Sequence, residues 1–84
     1  MSFLKNIKTA EQIEAERKEA EIKAVETQRL AAYSNPMTGS DRHFAEAVRL
    51  EAVGDTAGAE AARAAGLARH EEIRLQYPWP VGAL

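Results

Sequence analysis

At 84 residues the chain has room for one small domain, and a domain of that size buries only about two-thirds of the surface its unfolded chain exposes. Eleven basic and thirteen acidic residues leave a net charge of −2, which argues against a protein that holds nucleic acid by neutralising phosphates. The absence of Cys excludes a disulfide scaffold and every thiolate metal site.

The opening MSFLKNIK sets Phe3, Leu4 and Ile7 beside Lys5 and Lys8. It is shorter than typical interfacial helices and has neither the apolar run nor the small-residue cleavage pattern of a signal peptide. Two readings stay open for it: a hydrophobic staple against the first helix, or an anchor on a protein partner. No segment approaches the roughly 20 apolar residues that cross a bilayer, so the expected location is the cytosol, or a larger assembly packaged from it.

Thr9-Ala10-Glu11-Gln12 has the form of a capping box, and from about residue 10 a helix can run to Tyr33 without meeting Gly or Pro. Glu14 and Lys18, then Glu19 and Lys23, stand in the favourable i,i+4 order. The apolar face is sparse: Ala15, Ile22, Val25, Ala32 and Tyr33 group together, Leu30 lies at the margin, and Ile13 falls half a turn away. Such a helix either engages a partner or second copy, or stands solvated and frays.

SNPMTGSD breaks the chain: Pro36 disfavours helix at Asn35, and Thr38, Ser40 and Asp41 each offer an N-cap oxygen. All four lysines lie before this break, and every basic residue after it is Arg, which separates residues 1–34 from 35–84. A second helix is expected from Asp41 to Val53 with Phe44, Ala47, Val48 and Ala52 on its inner face. Gly54-Asp55-Thr56 ends it and starts a third helix, to Gln76, in a connection short enough to force an antiparallel hairpin. Ala59, Ala62, Gly66, Ile73 and Tyr77 form its inner stripe, small enough for Phe44 and Val48 to rest on Ala59, Ala62 and Gly66. One such helical pair is not a solenoid.

Pro78 ends the third helix, and Pro78 and Pro80 bias QYPWPVGAL toward an extended tail. Tyr77 and Trp79 either fold back as a lid over the hairpin, the preferred reading, or serve as a docking strand for a partner.

The residues offer no chemistry. His43 and His70 share no H-x-x-x-H or H-E-x-x-H spacing and read as solvated or capping histidines. Ser2, Ser34 and Ser40 have no nucleophile-elbow setting, and TGSD lacks the Lys of a phosphate loop. A DNA-reading helix built from GDTAGAEAARAAG would present little beyond Arg63 and Arg69. No enzyme activity, cofactor or metal is expected.

Two stretches carry a resemblance. MSFLKNIKTAEQIEAERKEAE, a short apolar head leading into a capped charged helix, resembles the beginnings of small proteins from bacteriophage and prophage tail-fibre and tail-assembly regions. The Arg/Glu helix running into YPWP is similar to the aromatic-proline ends of several of them. The resemblance implies a non-enzymatic tail component or assembly chaperone that binds phage structural proteins. The alternative is a small helical regulator of nucleic acid or a host protein.

The expected architecture is all-α: a long N-terminal helix, a two-helix antiparallel hairpin and an extended Pro/Trp tail. Residues 1–34 are the anchor and partner-binding helix, and residues 35–84 the hairpin with its tail. Ile22, Val25, Leu30 and Tyr33 carry the helix contact with another tail protein or a second copy, Phe3 and Leu4 the anchor, and Tyr77 and Trp79 the tail contact.

Overall fold

The computed structural model describes residues 8–82, and within them the chain is all-helical. Three helices follow one another: α1 (Ala10–Ser34), α2 (Asp41–Ala52) and α3 (Thr56–Gln76). Phe3, Leu4 and Ile7 lie outside the described residues.

α1 starts where the capping box places it. The Gln12 N–H donates to Thr9 Oγ1 at 3.1 Å and the Thr9 N–H donates to Gln12 Oε1 at 2.9 Å, so two otherwise orphaned donors are satisfied reciprocally. Its surface is held by ion pairs, but not all of the expected ones. Glu19 and Lys23 stand 3.8 Å apart, whereas Glu14 turns to Arg17, which also binds Glu21. A guanidinium offers a carboxylate two parallel N–H donors where the Lys18 ammonium offers a point charge, so Arg17 wins Glu14.

Every residue from 8 to 20 is exposed, and α1 has no fully buried residue. Half-burial appears only from Glu21 onward, along Ile22, Val25, Arg29, Ala32 and Tyr33. The first half of α1 is therefore an arm. Its projection gives the molecule extents of 68 × 25 × 19 Å and a radius of gyration of 19.9 Å, against roughly 12 Å for a compact chain of this length.

The break after α1 is built around Asn35, whose Oδ1 accepts from the N–H groups of Met37 and Thr38 at 2.8 and 3.0 Å. Gly39 then turns in against the end of α1. A Cβ there would lie 2.2 Å from the Tyr33 carbonyl oxygen and 2.6 Å from that of Asn35, so only glycine allows the chain to pass. Ser40 heads α2 without the expected side-chain cap. Its backbone is already helical (φ −81°, ψ −29°), whereas a capping residue ordinarily has non-helical geometry, as Thr9 does.

α2 and α3 form the antiparallel hairpin. The N–H groups of Gly54 and Asp55 return to the carbonyls of Glu51 and Leu50, and Asp55 Oδ1 accepts from the Gly58 N–H at 2.9 Å to cap α3. Across the seam Arg63 Nη1 meets Glu51 Oε2 at 3.2 Å. The core consists of Ala47, Ala59 and Ile73, with Gly66 buried beneath the Phe44 ring. A Cβ on Gly66 would stand 2.8 Å from Phe44 Cε1, so the approach expected from the sequence is real and depends on the missing methyl.

Two expected inner positions are wrong. Val48 is 68% exposed and Ala52 is exposed as well. The seam takes a single stripe through Phe44, Ala47 and Leu50, and Val48, one step of about 100° beyond Ala47, falls outside it.

Replacing Gly39 with Ala sets a methyl against three backbone carbonyls that have no freedom to retreat. The urea midpoint should fall by an amount equivalent to about 1–3 kcal/mol, the usual cost of overpacking. A variant as stable as the parent would mean that the α1–α2 turn is not close-packed.

Acid should act on the arm. The hydrogen bond from Arg17, with the charges of Arg17 and Lys18, holds the Glu14 carboxyl below its ordinary value of 4.5, while partial desolvation opposes this. A depressed carboxyl stabilises the fold above its unfolded value and ceases to do so as pH falls through its folded value. Helicity by far-UV circular dichroism should therefore hold down to about 4.5 and decline below it, and Glu14→Gln should flatten part of that decline.

Candidate functional site

Outside the hairpin, distant parts of the described chain converge along the C-terminal half of α3, and the residue that joins them at its end is Arg29. Its Nε donates to the Tyr77 carbonyl at 2.8 Å and its Nη2 to the Arg74 carbonyl at 3.2 Å, across 48 and 45 residues of sequence. The last carbonyls of a helix have no intrahelical donor and carry the negative end of the macrodipole, so a forked cation from another element is a fitting partner. Pro78 ends α3 here and leaves these carbonyls open.

The same guanidinium lies over the Trp79 ring, Cζ 4.4 Å from its centroid. Trp79 is thus packed within its own chain, against Arg29 of α1. The physical reason is the cation: it holds the tail by two backbone carbonyls and then offers its face to the first aromatic ring beyond the proline.

One turn further along α1, Tyr33 stacks on His70 with centroids 4.3 Å apart and planes 7° from parallel. His70 is therefore neither solvated nor capping, as the sequence suggested, but an interhelical contact. Arg69 completes the junction from the other side by donating Nε to the Thr38 carbonyl at 2.6 Å while pairing with Glu72.

Between α1 and the tail lies an open groove of about 280 Å³, lined by Glu26, Arg29, Leu30, Tyr33 and Trp79. Glu26, Arg29, Leu30 and Tyr33 recur at helical spacing and supply one wall, and the indole supplies the other. Its lining is chiefly apolar, with Glu26 and Arg29 as its charged residues. A wetter depression on the far side of α1, about 380 Å³, runs between Gln28, Thr38, Arg69 and Tyr77.

The residues expected to carry contacts divide accordingly. Leu30 and Trp79 line the groove, Leu30 with 65% of its surface exposed. Tyr33 lines it too, but its ring face is committed to His70. Tyr77 is half-buried and offers its carbonyl to Arg29. Ile22 and Val25 are half-buried, two turns and one turn before Arg29 on the same stripe of α1.

Sequence reasoning missed Arg29, Arg69 and His70. For Arg29 a signal was present: an arginine placed on the apolar stripe of Ile22, Val25, Ala32 and Tyr33, where a charge needs a partner. Nothing comparable marks His70. Among the described residues no three His, Asp or Glu side chains gather as a metal site.

No protein-family model matches the chain, and no curated protein or solved structure matches it.

Arg29→Ala removes both carbonyl bonds and the cation over the indole. Because the site is only half-buried, the expected loss is about 1–2 kcal/mol, with Arg29→Lys recovering part of it. Trp79 is the sole tryptophan, so its emission should shift to the red in the Ala variant without loss of far-UV signal. Unchanged emission would mean that the indole does not depend on Arg29.

Proposed function

We propose that this chain is a small non-enzymatic binding protein of the bacteriophage tail region, a minor tail component or an assembly chaperone. It acts from the host cytoplasm or within the virion by engaging other tail proteins through α1 and the groove beside it. The tail assignment rests on the resemblance of the opening and of YPWP, and the observation that carries the binding role is the pairing of a projecting arm with a ready groove at its base. A helix with no buried residue is not explained by the stability it contributes, because ordering so many exposed positions costs conformational entropy that burial does not offset.

The groove is suited to a protein partner. Leu30 gives exposed apolar surface, and Trp79 and Tyr33 are aromatic anchors already ordered by Arg29 and His70. Prior ordering reduces the cost of binding, and aromatic anchors in preformed pockets are where interface energy concentrates. Arg29 is engaged by two carbonyls, whereas Glu26 has no ion-pair partner among the described residues and favours a segment that carries Lys or Arg beside its apolar side chain.

The test is to tag the chain, co-express it with the products of the genes that flank its own, and purify the tagged protein. Recovery of a tail protein with the parent, and its loss with Leu30→Asp, is the expected pattern. Leu30 is exposed, so that variant should keep the parent's helical signal and Trp79 emission. Flanking genes unrelated to a tail would remove the phage reading, and a partner retained in full by Leu30→Asp would remove the groove.

A further inference from the structure

The face of α3 turned away from the hairpin is unpartnered among the described residues and carries two exposed leucines, Leu67 at 63% and Leu75 at 72%. Around Leu75 the face continues through Ala68, Ala64, Ala61 and Ala57, all exposed, at alternating spacings of four and three with Glu71 at the intervening place. That is a heptad seam five turns long on the side of α3 opposite Ala59, Gly66 and Ile73. We propose that a second copy of this chain covers it, through an antiparallel pairing of two α3 helices about a two-fold axis. This proposal is independent of the function argued above.

The register follows from the seam. In an antiparallel pair, positions of the two kinds meet across the axis, which sets Ala57 on the second copy's Leu75, Ala64 on its Ala68 and Ala61 on its Glu71. The residues that flank the seam are then fixed. Leu67 meets Leu67 of the other copy on the axis, and Glu60 meets Arg74 at both ends. Glu60 has no ion-pair partner among the described residues, whereas Arg74 binds Glu71 through Nη1 at 3.1 Å and has its second amino group to offer.

Glu71, the one charge within the seam, already turns its carboxylate to Arg74. Each end of the interface therefore closes with a Glu71–Arg74–Glu60 cluster and no unpaired charge. The parallel alternative fails on the same residues: it would place Leu67 against Glu72 and Glu60 against Ala65, and it would align the helix dipoles. Antiparallel pairing satisfies the leucines and the charges together, as an isologous two-fold contact must.

The contact is one helix wide and roughly 30 Å long, which places it near the lower end of specific interfaces at about 1,000 Å². The dimer should form and dissociate in the micromolar range. Alanines along the seam let the axes approach to about 8 Å, the short limit for packed helices.

The chain has no Cys, so a single introduced thiol reports the register directly. Under mild oxidation Leu67→Cys should cross-link to a dimer rapidly, and Val53→Cys, more exposed still on the hairpin turn, should not. In sedimentation equilibrium, Glu60→Arg turns two attractive pairs into two like-charge pairs and should raise the dimer dissociation constant about tenfold or more. Leu67→Glu should leave a monomer with unchanged far-UV signal and Trp79 emission. A parent that remains monomeric at high micromolar concentration, or a Leu67→Cys chain that cross-links no faster than Val53→Cys, would overturn the proposal.

Discussion

The relation of α1 to the rest of the molecule depends on one side chain set against one helix end. α1 has no fully buried residue, so apolar burial alone gives it little reason to hold a fixed place on the hairpin. Arg29 supplies the reason by meeting a requirement that α3 has wherever α1 goes: carbonyls at its C-terminus with no donor of their own. Two bonds to those carbonyls and a ring laid over the guanidinium fix a distance, a direction and a rotation of α1 at once. Tyr33 on His70 and Gly39 under the end of α1 then fit only in that one arrangement.

The order of dependence runs through the tail. Pro78 cannot donate a backbone hydrogen bond, so α3 stops and its carbonyls open; Arg29 fills them; and the chain beyond, stiffened by Pro78 and Pro80, delivers Trp79 to the far face of the same cation. A flexible tail would lose more entropy on reaching that position. The prolines limit the cost by narrowing the conformations left to the unfolded chain.

What was legible in the sequence was local. Thr9 with Gln12 and Asp55 beneath Gly58 are contacts within one turn of chain, and they set the helix starts to the residue. The seat of Phe44 on Gly66 was legible because a short turn forces its two helices together and leaves a ring and a glycine facing one another. Val48 was misplaced because a twelve-residue helix has apolar residues on two neighbouring stripes and only the seam chooses between them. The Arg29 site lay deeper still. Its partners are backbone carbonyls, which every residue possesses and no sequence pattern marks, and they stand more than forty positions away. Only the oddity of an arginine on an apolar stripe hinted at it, and a hint of need does not name the group that meets it.

The two surfaces left open after these constraints lie on opposite sides of α3, and this matters for how the molecule would act. The groove at Leu30 and Trp79 sits at the C-terminal end of α3, while the leucine seam runs along its outer face. Pairing two seams antiparallel sends the two C-terminal ends apart by the length of the helix, roughly 30 Å, with one groove and one arm at each. Two modest sites held at a fixed separation bind a repeating structure far more tightly than either alone, because the second contact becomes intramolecular. A seam of alanines too weak to bind tightly by itself would thereby be enough to convert a small helical hairpin into a bivalent clamp whose spacing is set by the length of α3.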